Sequence, residues 1–497
     1  MNNNTYSMSE EESTYLGQKG YTIYKECLSV GDQKWIRDTL TVAPYIPKSP
    51  VQPPSFPIYK EGQSKLYLPR YFGIENFGTP DVSKIADGDD INVPFKGTLR
   101  DYQEPIVKAY MDAVKSPAGG GGLLDVPCGW GKTLMALWII TLLKKKTLVI
   151  VHKSFLLNQW EERIKEFLPT AKIGRIQGPI MDIEGADIVI GMLQSLSMKS
   201  YPESTWKCFG LMIVDECHHI SSEVFSRALV TIVTKYTLGL SATMKRKDGL
   251  TDVFKMFLGD IVYSVERKKE DNVLVKGIVY RSNDPDFEET ELDYRGNPKY
   301  STMVSKICSY NDRTEFILKV IEKELADYDE EQQIMILAQQ KSILVYIHDA
   351  IKHRRIATVG YYVGGMKEED LKASEDKTVI CATYQMAAEG LDIKSLSSLI
   401  LATPRTDITQ AVGRILRVKR ERPLVVDIVD THDVFRRQYS KRKTFYRKNK
   451  YTVMESDNTR YFKDEWDEVK SRSKGKKKKK EIDDVTDELS GKCLISI

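Results

Sequence analysis

The chain has no apolar run approaching 18 residues, so no segment reads as a membrane-spanning helix. It has no C-x-x-C pair either: Cys27, Cys128, Cys208, Cys217, Cys308, Cys381 and Cys493 lie scattered. That scatter excludes a disulfide framework and a cysteine zinc site, and it suits a reducing interior. The opening stretch "MNNNTYSMSEEESTYLG" lacks the apolar centre of a signal peptide. Cys493, fifth from the end, does not make a prenylation box. A global positive field is missing as well. The formal charge is +4, but "KSRSKGKKKKK" (470–480) alone carries eight positive charges, which leaves −4 for the rest. Nucleic-acid affinity in the folded part must then come from local grooves.

What remains is a chain of 497 residues, 41% hydrophobic and 29% charged, the composition of a soluble globular protein of two to four domains. Residues 44–57 hold six prolines in fourteen positions, so this stretch is extended and neither helix nor central strand. Its flanks are aromatic and β-prone, and residues 1–96 read as a small, strand-rich accessory module. From Leu99 the texture changes. "GGLLDV" (121–126), "TLVIV" (147–151), "DIVIG" (187–191), "LMIVD" (211–215) and "TLGLS" (237–241) alternate with amphipathic stretches, as parallel strands alternate with crossover helices. The pattern pauses across 266–305 and resumes with "IMILA" (334–338), "TVICA" (378–382), "SLILA" (398–402) and "LVVDIVD" (424–430). The expectation is an α/β fold with two parallel-sheet domains in tandem, over 97–268 and 306–450. Residues 269–305 are then a connecting segment. Residues 451–497 read as a polar, disordered tail with a lysine run at 474–480.

"DVPCGWGKT" (125–133) is a phosphate-binding loop without its first glycine, since Val126 stands where G-x-x-x-x-G-K-[ST] begins. It follows a strand and opens a helix, whose N-terminal N–H groups and dipole suit phosphates. Gly129 and Gly131 let the backbone curl, Lys132 can reach the β/γ oxygens, and Thr133 offers a hydroxyl to Mg²⁺. A second element supports the first. "LMIVDECHH" (211–219) ends a strand in Asp215, placed to hold Mg²⁺, and Glu216, placed to polarise a water. His218 and His219 have a plainer use, completing a hydrogen-bond network beside a polar site. In "TDITQAVGRILRVKR" (406–420), Gln410, Arg414 and Arg417 share one helix face.

"PCGWGKT", "DECH", "SAT" (241–243) and "QAVGRILR" (410–417), in this order, resemble the helicase motifs of superfamily 2. The resemblance spans residues 97–450 and is closest to the XPB-type group and its relatives in large DNA viruses, including the poxvirus transcript-release helicase. It implies two RecA-like lobes, with ATP and Mg²⁺ as cofactors. In that superfamily a small or apolar residue commonly replaces the first loop glycine, which accounts for Val126. The resemblance makes Pro127, Cys128, Gly129, Trp130, Gly131, Lys132 and Thr133 the nucleotide cradle, with Gln103 of "LRDYQ" reading the adenine. Thr133 and Asp215 hold the metal. It makes Lys132, Asp215, Glu216, Gln410, Arg414 and Arg417 catalytic, the arginines arriving from the second lobe. Ser241, Thr243, Gly390 and Asp392 would couple the sites. Lys153 of "VHKSFLLNQW", Gln194 of "GMLQSL" and Thr383 would contact nucleic acid. Arg246, Lys247 and Asp248 occupy the place of an Arg-Glu-Asp element in XPB-type proteins, with lysine replacing the glutamate.

Past the motor, "FRRQYSKRKTFYRKNKY" (435–451) suits either backbone tracking with stacking or an amphipathic helix packed on the second lobe. The function implied is an ATP-driven helicase or translocase on nucleic acid, duplex DNA before RNA, in transcription or repair. RNA polymerase or transcription factors are its expected protein partners, and the nucleus, a viral factory or the virion its place. A translocase that strips bound complexes without separating strands is the rival within the class. A non-catalytic nucleic-acid scaffold is the rival outside it.

Overall fold

Buried parallel strands need apolar side chains on both faces, and the short runs above supply them. The protein is described from a computed structural model over residues 13–45, 52–116, 119–127, 129–217, 223–242, 250–265, 273–327, 332–389, 393, 395–415 and 423–469. Lobe 1 is an eight-stranded sheet in the order Ile180–Asp182, Ile173–Gln177, Ile188–Met192, Thr147–Val151, Leu211–Asp215, Tyr236–Ser241, Gly120–Asp125, Ile261–Ser264. Its pairings are parallel except for the hairpin between the first two strands named.

Lobe 2 repeats the plan with eight strands, ordered Val359–Tyr362, Val379–Thr383, Ile334–Ala338, Ser398–Leu401, Leu424–Asp430, Leu274–Tyr280, Thr452–Asp457, Asp467–Glu468. Alternate residues of its central strand divide between two cores. Ile334 and Ile336 meet the helices Asn311–Ala326 and Lys341–Arg354 on one face. Met335 and Leu337 meet Tyr384–Glu389, Thr409–Ile415 and Asp433–Lys448 on the other. These are two tandem RecA-like α/β domains.

Two stretches depart from the expected partition. "LVKGIVY" (274–280), assigned to a connecting segment, is an inner strand of lobe 2, paired on both sides. Lys276 and Gly277 interrupted its apolar run. Lys276 Nζ is neutralised by Glu324 at 2.7 Å, and a Cβ on Gly277 would lie 2.1 Å from the Tyr439 hydroxyl. Residues 452–468, expected in the tail, form the last two strands of the same sheet. Thr452–Asp457 is polar because one of its partners is only a short end strand, and Glu455 accepts from the Tyr439 hydroxyl at 2.8 Å. The lysine run 474–480 lies outside the described residues.

The N-terminal residues form a five-stranded sheet with helices Val30–Thr39 and Arg70–Phe77. Of the proline-rich stretch, Phe56–Pro57 pairs antiparallel with Thr41–Val42. The module is seated on lobe 1. Arg70 Nη1 donates to the Lys235 carbonyl at 2.8 Å, and the Tyr71 and Thr237 hydroxyls meet at 3.2 Å. Gly121 makes that seat: a Cβ there would stand 1.8 Å from Thr237 Oγ1 and 2.4 Å from the Tyr71 hydroxyl. Among the described residues no helix is long and apolar enough to cross a membrane.

Candidate active site

The phosphate loop leaves the carboxyl end of Gly120–Asp125 and enters the helix Lys132–Leu143. Tyr236–Ser241 and then Leu211–Asp215 are the next strands. The loop, Ser241 and Asp215 therefore share the sheet edge at which open α/β folds bind ligands. Gly129 and Gly131 have φ of 84° and 76°, in the left-handed region that glycine enters at least cost. Gly131 is constrained twice, because a Cβ would lie 2.5 Å from Gln103 Nε2. Among the described residues no side chain caps the helix at Gly131. The first N–H groups and dipole of such a helix end suit an anion. Val126 is fully buried. Its N–H donates to the Ser241 carbonyl at 3.1 Å, and its own carbonyl accepts from Lys132 Nζ at 3.3 Å. The position roots the loop in the core, where an apolar side chain fits.

Asp215 ends its strand with both oxygens bonded: Oδ2 accepts from Trp160 Nε1 at 2.9 Å, and Oδ1 from the Glu216 N–H at 3.0 Å. Glu216 has φ of 48°, a left-handed backbone that costs a non-glycine residue on the order of 1–3 kcal/mol. The Glu216 carboxylate lies 3.8 Å from Lys132 Nζ. Burial first, and repulsion from Glu216 second, raise the Asp215 carboxyl to about 6. A cation beside Asp215 would relieve both effects. Among the described residues no group of three or more His, Cys, Asp or Glu could hold a metal by itself. A hard divalent ion here would therefore lean on Asp215, Thr133 and the nucleotide's own phosphates, which is how Mg²⁺ is commonly bound. The residues fit that ion.

Gln103 is 1% exposed. Its Nε2 donates to the Trp130 carbonyl at 2.9 Å and its Oε1 accepts from the Arg100 N–H at 3.0 Å. It braces the loop, and Tyr102 meets the Trp130 ring edge-on at 4.9 Å. Pro127 is buried and Thr133 half-buried. Lys153 precedes the helix Ser154–Phe167, and burial lowers its ammonium pKa. Gln194 Nε2 donates to the His152 carbonyl at 3.3 Å, tying two expected nucleic-acid loops together. Thr383 ends Val379–Thr383 half-buried.

Lobe 2 carries Gln410 and Arg414 on the helix Thr409–Ile415. Arg414 is 8% exposed, and its Nε donates to the Ala387 carbonyl at 3.1 Å. The structure thus gathers Gln103, Trp130, Gly131, Lys132, Asp215 and Glu216 on lobe 1 and holds Arg414 within lobe 2. Among the described residues, polar bridges between the lobes include Asn158 Nδ2 to Glu368 at 2.6 Å and Lys372 Nζ to Glu162 at 2.6 Å. Cys128, His218, His219, Thr243, Arg246, Lys247, Asp248, Gly390, Asp392 and Arg417 lie outside the described residues.

Several residues were missed. Trp160 faces the core with Leu156, Leu157 and Ile164. A buried indole N–H needs an acceptor, and the helix follows a strand that neighbours the one ending in Asp215; that was the available signal. The other group surrounds the loop ahead of Thr409–Ile415, where four successive carbonyls each have a side-chain donor. Arg313 Nη2 bonds Ala402 O at 2.9 Å, and the Tyr384 hydroxyl bonds Thr403 O at 2.6 Å. The Tyr300 hydroxyl bonds Pro404 O at 3.3 Å, and Arg442 Nη1 bonds Arg405 O at 2.7 Å. Arg313 and Arg442 are themselves locked by Asp430 and Asp427 at 2.5 and 2.8 Å. These donors come from four helices spread over residues 300–448, a convergence that spacing along the chain does not reveal.

A phosphate loop beside paired acids, with an arginine-bearing helix on a second RecA-like lobe, defines a two-lobed nucleoside-triphosphate hydrolase. Residues 96–246 match the family model described as type III restriction enzyme, res subunit. A protein of Acanthamoeba polyphaga mimivirus, named provisionally as an ATP-dependent RNA helicase, is 34% identical over 462 residues, 90% of this chain and 87% of that one. A protein of Invertebrate iridescent virus 6, named provisionally as a helicase, is 24% identical over 72% of this chain and 83% of its own length. One from African swine fever virus, named provisionally as an ATP-dependent RNA helicase, is 27% identical over 71% and 74%. The crystal structure of the Pyrococcus furiosus Hef helicase domain aligns with a TM-score of 0.47 and 13% identity, covering 69% of this chain and 98% of that chain. The chain belongs to the superfamily 2 ATP-dependent helicases, and it is an ATP-hydrolysing helicase.

Proposed function

We propose that the chain is a motor on duplex DNA that couples each ATP hydrolysis to closure and reopening of its two lobes. The observation that carries this reading is the division of the site. Lys132, Asp215 and Glu216 belong to one lobe, and Gln410 and Arg414 to the other. Lys132 would draw the β/γ oxygens into a cradle formed by Pro127, Gly129, Trp130 and Gly131. Thr133 and Asp215 would hold Mg²⁺, which would supply neutralisation of the phosphate charge. Glu216 would take the proton of the attacking water. On closure Arg414, with Arg417, would face the γ-phosphoryl group, a contribution on the order of 10³–10⁵ in rate. Ser241, with Thr243, Gly390 and Asp392, would carry the change of lobe geometry between the sites. Lys153, Gln194 and Thr383 would grip phosphates, and a grip on phosphates carries no base sequence.

The likeness to XPB-type and poxvirus transcript-release helicases supports work in transcript release, promoter opening or repair, with RNA polymerase or transcription factors as partners. The corresponding places are the nucleus, a viral factory or the virion. A second reading, RNA as the track, is favoured by the names of the mimivirus and African swine fever virus relatives. The test is steady-state ATP hydrolysis alone and with duplex DNA, single-stranded DNA or RNA, beside Glu216→Gln. Stimulation by duplex DNA that the variant lacks supports the proposal. Stimulation by RNA alone replaces it with the second reading.

A further inference from the structure

The stretch from Val434 to Met454 contains eight Arg or Lys residues and no carboxylate. Most of it is the helix Asp433–Lys448, which buries Phe435, Tyr439, Arg442 and Tyr446 at spacings of four, three and four. That stripe packs into the core shared with Tyr384–Glu389 and Thr409–Ile415. Two of the cations are used internally: Arg442 pairs with Asp427, and Lys443 with Glu455 at 3.1 Å. Arg436, Arg437, Lys441, Arg447 and Lys448 point outward, exposed, and make no ion pair among the described residues. The helix Ser154–Phe167 behaves differently, since there Arg163 pairs with Glu166 and Lys165 with Glu161. Like charges four residues apart, such as Arg437 and Lys441, weaken a helix by about 0.2–0.5 kcal/mol. In this helix only Asp433, in the first turn beside Arg436 and Arg437, offsets that penalty on the outer face.

We propose that the outer face of Asp433–Lys448 is a docking surface for a nucleic-acid phosphate backbone, extending the track beyond the loops around the cleft. The inference rests on the reading of the protein as a motor on duplex DNA. Charge selects the occupant, because a face of cations and hydroxyls (Ser440, Thr444), with Asp433 as its one carboxylate at the N-terminal end and no apolar residue between them, offers little to a protein partner. From Arg437 to Lys448 the helix rises about 16 Å, a length over which a duplex presents roughly nine phosphates. The surface is also continuous with the proposed track. Thr383 is followed by Tyr384, whose ring lies 5.9 Å beneath the exposed guanidinium of Arg405. The Arg405 carbonyl in turn accepts from Arg442, next to the outward Lys441.

The test neutralises one row, Arg437→Gln, Lys441→Gln and Lys448→Gln together, in the full chain. A control variant neutralises Lys319, Lys352 and Arg355, exposed and at the opposite face of the lobe 2 sheet. Duplex DNA affinity is measured from 50 to 300 mM salt. Three lost phosphate contacts should flatten the log–log salt slope by about 2.7, so the loss of affinity should be on the order of 100-fold larger at 50 mM than at 300 mM salt. The control should retain the parent slope, and ATP hydrolysis without nucleic acid should match the parent in both. A parent slope in the first variant, or an equal loss in the control, overturns the proposal. If the parent chain itself binds no duplex DNA, the motor reading fails first, and the two failures are told apart.

Discussion

Trp160→Phe deletes one N–H and should move the pH dependence of catalysis. In the parent, Asp215 sits at about 6 because burial and Glu216 disfavour its charge, while the Trp160 indole lowers it. A hydrogen bond to an ionised acceptor contributes about 1.5–3 kcal/mol, and 1.36 kcal/mol is one pKa unit. Without the indole, Asp215 should titrate roughly one to two units higher. A carboxyl with a raised pKa is neutral below it, so the ionised form that can hold a divalent cation disappears as pH falls. At pH 7 the ionised fraction should drop by about 2- to 10-fold and return nearly to parent by pH 9. ATP hydrolysis would be followed from pH 5.5 to 9 at limiting and saturating Mg²⁺. The expected result is an acid limb displaced upward, a weaker apparent Mg²⁺ affinity at pH 7, and recovery at high pH. The smaller ring also leaves a packing defect worth about 1–2 kcal/mol, but a defect lowers the rate at every pH. A variant whose acid limb coincides with the parent's would refute the assignment of Trp160 to Asp215.

Asp215→Asn should abolish ATP hydrolysis while leaving thermal stability at pH 8 equal to or above the parent's. The raised carboxyl contributes stability at low pH that is lost as pH rises through about 6, so the gap in melting temperature should narrow on acidification. Tyr384→Phe should leave the Thr403 carbonyl without its hydroxyl partner. A drop of about tenfold in kcat is expected, at an ATP KM within about twofold of parent, because the nucleotide cradle on lobe 1 is untouched. An equal loss in both parameters would mean that the loop does not position Arg414. Gly121→Ala should overpack the seat of the N-terminal module, at about 1–3 kcal/mol. Limited proteolysis should then release the module before the lobes are cut; parent-like resistance would show that the seat can yield.

The strands legible in the sequence were those whose residues are apolar on both faces. Leu211–Asp215 and Leu424–Asp430 stand where their runs predicted. Leu274–Tyr280 was hidden because Lys276 is neutralised by Glu324 and Gly277 admits Tyr439, both from distant stretches. The same distinction applies to the site. The phosphate loop and the acids after Val214 are local patterns whose chemistry follows from spacing. Trp160 under Asp215, and the donors around 402–405, become neighbours only when helices cross. Gln103 was legible as a residue of the nucleotide region, but its buried amide braces Trp130, a contact no spacing announces. The interleaved basic stretch after Val434 allowed two readings because a helix can bury an aromatic stripe and expose a cationic one at once.

The bridges between the lobes are exposed, with Lys372 and Glu162 at 58% and 53% side-chain accessibility. Such a pair holds by about 0–1 kcal/mol at most and weakens in salt. Such bridges add little resistance to separation, and little of the fuel's free energy is diverted to breaking them. Ionic strength then acts on the motor in two opposed ways: it lubricates the joint while loosening the grip on the track. Speed should be greatest at an intermediate salt concentration, where the lobes separate freely and the load is still held.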